Sequence, residues 1–161
     1  GLLVGSATFK ETVDAARQLL EPPRLVLDLL NQRVRAGRTV VHLNERELAF
    51  LSVFAKRVLN GQPAVAPPGK YVNDEEWATW LDDEQQLCKP REDRRRFDAN
   101  APKPTMTGEN WSVIKTRLHK ALKTALGPGA GPYLIQRISV RPTKCFGLSL
   151  PASAVSYGDL A

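Results

Sequence analysis

Apolar and polar positions along this chain change period several times, and each change marks an expected element. At 24–29, Leu25, Leu27 and Leu29 alternate with other residues as in a half-buried strand. Val34 sits on a short second strand, and the β-branched run at 39–43 makes a third. Asn31-Gln32 and Ala36-Gly37 supply the two turns that fold them into an antiparallel sheet. The period then becomes helical. Leu48, Leu51, Phe54, Ala55 and Val58 form a stripe, Asn44 is the expected N-cap with Glu47 at capping-box spacing, and Asn60-Gly61 end the helix.

Pro63, Pro67 and Pro68 make the next stretch a loop. Asn73 is expected to open a second helix, whose positive first turn is filled by Asp74, Glu75 and Glu76. Trp77, Trp80 and Leu81 share its apolar side, a spacing that belongs to a core rather than to a stacking platform. Asn110 is expected to open a third helix, in which Ile114, Leu118, Leu122 and Leu126 recur every four residues until Gly127-Pro128-Gly129 stop it. Residues 133–140 then read as a strand with Tyr133, Ile135 and Val140 as candidate inward positions, 141–144 as a turn, and 145–150 as the returning strand. Near the start, Phe9, Val13, Ala16, Leu19 and Leu20 have helical spacing before Pro22-Pro23.

With 161 residues, 42% of them hydrophobic, the chain is expected to hold one domain with a real core. A net charge of +6 leans toward an anionic partner without naming it. Cys88 and Cys145 are far apart and form no CxxC pair, which argues against a disulfide framework or a zinc site and fits a reducing cytoplasm. No apolar run is long enough to span a bilayer, so no membrane partner is expected. The opening Gly1-Leu2-Leu3-Val4-Gly5-Ser6 lacks methionine and reads as the start of a piece of a longer protein. The expected organisation is a linker helix at 1–23 following an absent upstream domain, a domain at 24–151 with a basic insertion at 88–108, and a tail at 152–161.

No catalytic constellation stands out, and neither a metal site nor a cofactor is expected. His42 reads as structural, Asp82-Asp83-Glu84 as surface, and the glycine-rich run at 127–131 lacks the lysine of a phosphate loop. The strongest functional signal is basic. Lys115, Arg117, His119, Lys120 and Lys123 lie on the third helix, where they can meet phosphates or base edges in a major groove. Arg137, Arg141 and Lys144 lie on the hairpin that follows, within reach of backbone or minor groove. For His119 a groove-facing donor and a solvated surface residue are equally open readings. In the insertion, Arg94, Arg95 and Arg96 are candidates for a phosphate-contacting arm, against the competing reading of a solvated loop.

The order of elements defines the expected fold class: α+β, a winged helix-turn-helix with an N-terminal three-stranded antiparallel sheet and a C-terminal β-hairpin wing. The run RLVLDLLNQRVRAGRTVVHLNERELAFL resembles the opening sheet and first helix of OmpR/PhoB-type winged-helix effector domains, and RLHKAL resembles the end of their recognition helix. The chain departs from that pattern in the insertion at 88–108, and in His119 and Ala121 where basic residues are usual. PPRLVLDLLNQRV, LNERELAFLSVFAKR and TRLHKALKTALG are similar to the C-terminal region of CRISPR-associated proteins of type III systems that begin with a CARF domain. That resemblance implies that cyclic-oligoadenylate sensing and any ring-nuclease activity belong to an upstream half absent here. The expected function is therefore binding of nucleic acid, taken as duplex DNA, by an accessory or output domain of antiviral defence. The alternative is a docking or homodimerising winged helix that meets protein through its wing and the Trp77/Trp80 region.

Overall fold

Residues 45–59 form the element around which the others are arranged, and their sequence says why. The structure, a computed structural model, describes residues 21–95, 104–139 and 143–161; the expected helix at 8–20, Val140, Arg96 and Arg141 lie outside these. Helix α1 (Glu45–Leu59) buries every residue from Glu47 to Ala55, far more than a single stripe, so it is central rather than peripheral. Asn44 caps it as expected, its side-chain oxygen accepting from Glu47 N at 2.9 Å.

Strands β1 (Leu25–Asp28), β2 (Arg33–Ala36) and β3 (Thr39–His42) make the expected antiparallel meander. Its register sets Leu27, Val34 and Val41 in one buried row, and these join a single apolar cluster with Leu48, Phe50, Leu51 and Leu118 of the helices. The turns fall at Asn31-Gln32 and Gly37, where Gln32 takes φ of 53° and Gly37 φ of 62°.

Helices α2 (Glu75–Leu87) and α3 (Gly108–Leu126) pack on α1. The cap of α2 falls one residue after the expected one, and that of α3 three residues before it. Asp74 caps α2 by accepting from Trp77 N, while Asn73 instead accepts from the distant Met106 N at 2.7 Å. Thr107, not Asn110, caps α3, and Asn110 N donates to its hydroxyl. Between the three helices lies an aromatic cluster: Phe50 stacks on Trp77 at 5.9 Å, meets Trp111 edge-on at 5.5 Å, and is joined by Phe54. Trp77 is core, as its spacing suggests.

After α3 the chain forms a 3-10 helix over Gly127–Tyr133, so the strand expected from 133 begins only at β4 (Gln136–Ser139). Tyr133 and Ile135 are nevertheless buried, as expected. Strand β4 pairs antiparallel with β5 (Cys145–Gly147) as the C-terminal hairpin. The α1–α2 loop adds a bridge to it, with Val65 N donating to Phe146 O and Phe146 N donating to Val65 O.

The stretch expected to be a tail carries a strand. β6 (Val155–Tyr157) runs parallel to β1 and extends the sheet to the order β3-β2-β1-β6. Beyond it Gly158 N donates to Leu27 O, and Leu160 N to Asp28. Burial pushes the Asp28 carboxyl up, but the bonds from Leu160 and Asn31, with Arg33 nearby, outweigh it and hold the group below its ordinary range. Tyr157 reaches into the helix layer, where its hydroxyl lies 2.7 Å from Ser52 Oγ. Ser52 donates to Glu84, which also accepts from Lys56 at 2.6 Å.

Candidate nucleic-acid interface

Beyond Gly108 at its start, the buried residues of α3 are Trp111, Ile114, Leu118 and Leu122, an i, i+3, i+4 set that fixes which way the rest must point. At 3.6 residues per turn, Lys120 projects about 160° away from Leu118, straight outward. Arg117 and Lys123 flank it, each about 100° from the neighbouring buried leucine. All three are exposed and make no ion pair among the described residues. Thr116, Lys120 and Thr124, at i, i+4 spacing, share an open groove on this face with His119 and Lys123. Thr116 reads from the sequence as lying near the basic residues off the apolar face, but neither threonine was expected as a contact residue; their i, i+4 spacing to Lys120 is the sequence signal that marks them.

Two of the five basic-helix residues are used inside the molecule. Lys115 is half-buried, with its ammonium 4.5 Å from the Phe146 ring centroid and 5.2 Å from that of Trp111. Burial holds its pKa below the ordinary lysine value. The sequence left His119 open between a groove-facing donor and a solvated surface residue; it lines the open groove on this face and also makes a bond inside the molecule. Its Nε2 accepts from the backbone N–H of Ile135 at 3.0 Å, which ties α3 to the segment entering β4. Burial, reinforced by the charges of Lys115 and Lys123, lowers its pKa to about 4, so the ring stays neutral and keeps the lone pair that this bond needs.

On the hairpin, Arg137 lies opposite Phe146 and is exposed, as are Ile138 and Lys144. Arg141 lies outside the described residues. The hairpin is thus held from two sides, by Lys115 and His119 of α3 and by Val65 of the α1–α2 loop.

The arginines of the insertion do not form a free arm in the part described. Arg95 pairs with Asp82 of α2 and its backbone N–H donates to Gln86, while Arg94 Nε donates to Lys89 O. These bonds close the loop on the end of α2, a helix whose last turn carries no basic residue of its own. Arg96 lies outside the described residues. The docking alternative loses one anchor as well: Trp77 is 1% exposed, with its indole N–H donating to Ala66 O. Trp80 is only half-buried, under the guanidinium of Arg57.

Cys88 is buried, and burial, with the carboxylates of Glu45 and Glu84, pushes its thiol up to about 12, the setting of an inert structural cysteine. Among the described residues no group of His, Cys, Asp and Glu is placed to hold a metal ion, and no helix is long and apolar enough to cross a membrane. Three helices behind an N-terminal sheet, with a small hairpin packed against the third, define a winged-helix arrangement. No family model matches the chain, and no curated protein or solved structure matches it either.

Proposed function

We propose that this winged helix binds nucleic acid, with α3 and the hairpin facing duplex DNA. The observation that carries the reading is the outward trio Arg117, Lys120 and Lys123, exposed and without an acidic partner among the described residues. Arg137 and Lys144 on the adjoining hairpin continue it. Cations left in water near one another contribute little to folding, whereas on a polyanion they displace its condensed counterions into bulk solution and so favour binding. The resemblance of PPRLVLDLLNQRV and LNERELAFLSVFAKR supports a place for this domain as the output or accessory part of a type III CRISPR-associated protein. In that setting a cyclic-oligoadenylate sensor and its ring-nuclease chemistry would belong to a separate CARF half.

One observation favours a second reading, a protein-docking or dimerising winged helix. Tyr71 and Val72 are 74% and 67% exposed, on a loop whose Gly69 and Lys70 carbonyls accept from the first amides of α3. Binding of duplex DNA measured at two salt concentrations, with light scattering on the same samples, separates the two. Salt-sensitive binding by a monomer supports the first reading; a dimer indifferent to DNA overturns it.

A further inference from the structure

The capping-box spacing of Asn44 and Glu47 is only half used. Asn44 accepts from the Glu47 amide, but the Glu47 carboxylate makes no return bond: Oε2 is buried with no hydrogen-bond partner, and the residue is 7% exposed. The positive end of α1 offsets part of that cost. A dry carboxylate oxygen without a donor is still a rare and expensive arrangement in a folded chain.

Glu47 lines a small cleft of about 80 Å³ between the first turn of α1 and α3, together with Asn44, Arg46, Asn110 and Arg117. Both arginines are exposed, and no ion pair joins either to Glu47. These groups dictate what the cleft can take. The carboxylate accepts and so needs an N–H donor. The two guanidinium groups repel a cationic donor and attract an anionic molecule. A neutral amine on a polyanion satisfies both, and the exocyclic amino group of a nucleobase is one.

In the major groove only cytosine N4 and adenine N6 offer such an amine, and adenine sets an acceptor, N7, beside it that repels a carboxylate. We propose that Glu47 is a specificity-determining residue that accepts from cytosine N4, with Arg117 donating to guanine O6 and N7 of the same base pair. The inference rests on the nucleic-acid reading above and deepens it by naming a base pair.

The test is selection from randomised duplexes by the intact chain and by Glu47→Gln, with melting curves of each. The wild-type chain is expected to prefer C·G at one position by roughly tenfold. In Glu47→Gln that preference should move toward adenine, since a carboxamide both donates and accepts. Should Glu47→Gln fold poorly, the exposed Arg117→Ala carries the test, by reducing discrimination at that same position and no other. Duplex binding whose base preference is unchanged by either substitution overturns this inference and leaves the general reading intact. Absence of duplex binding by the wild-type chain sinks both.

Discussion

Lys115 of α3 holds its ammonium 4.5 Å from the centre of the Phe146 ring of β5, and Phe146 in turn meets Trp111 edge-on at 5.0 Å. One cation thus sits on the seam between helix and hairpin, in contact with a ring from each. Lys115→Ala should cost about 1–2 kcal/mol, because the aliphatic stem and the ring contact are both lost. Lys115→Met, which keeps the stem, should cost less than about 1 kcal/mol. Thermal melts give both values. Faster hydrogen exchange at the Val65 and Phe146 amides in Lys115→Ala alone would place the loss at the seam.

Lys120 and Lys123 behave oppositely in this account. Neither has an ion-pair partner among the described residues, so Lys120→Ala and Lys123→Ala should each leave the melting temperature within a degree or two of wild type. Each should weaken duplex binding nearly uniformly across sequences and reduce the salt slope by about 1. Titration over a salt series measures it. An unchanged slope in both variants would remove the outer face of α3 from the interface.

His119 makes stability depend on pH. Burial first, then Lys115 and Lys123, lower its pKa from 6.5 to about 4, so the folded state resists a proton that the unfolded chain accepts. The sign follows: the contribution is complete above about 6.5, falls as pH drops through the interval, and is gone near 4. Because the ring is only half-buried, the loss should be of the order of 1–3 kcal/mol. Urea denaturation at pH 7 and at pH 4.5 measures it, and His119→Gln, whose carboxamide oxygen can still accept from Ile135, should flatten the difference.

These contrasts show which parts of the molecule could be read from the chain. The meander and α1 were legible because alternation at Leu25, Leu27 and Val34 and the Asn44 cap are local signals that packing happens to reinforce. The centrality of α1 was not, since burial of Phe50, Ser52 and Val53 comes from neighbours on sides that its stripe does not mark. The starts of α2 and α3 shifted because Asn73 and Asn110, good caps by type, lie next to Asp74 and near Thr107, and a contact with Met106 decides the first case. At the site, the outward direction of Lys120 follows from helical periodicity. The use of Lys115 and His119 does not, because it depends on Phe146 and Ile135, residues brought close only by the hairpin. The same holds for β6: three residues pairing with a strand more than a hundred positions earlier leave no local trace.

That last strand carries the remaining prediction. Tyr157 places its hydroxyl 2.7 Å from Ser52 Oγ and donates to Ser52 O at 3.2 Å, while Ser52 and Lys56 both donate to Glu84, which is 5% exposed. The network joins β6 to α1 and α2, so the end of the chain is bonded to the middle of the core. Tyr157→Phe removes only the hydroxyl and should cost about 1–2 kcal/mol. Glu84→Ala takes the shared acceptor from the buried Ser52 hydroxyl and from the part-exposed Lys56 ammonium and should cost somewhat more, about 1–3 kcal/mol. The decisive measurement is the double variant. If the bonds act as one network, Tyr157→Phe should add less in the Glu84→Ala background than in wild type, because Ser52 Oγ is then released to pair with what remains. Strict additivity in chemical denaturation would mean that β6 is held by its pairing with β1 alone.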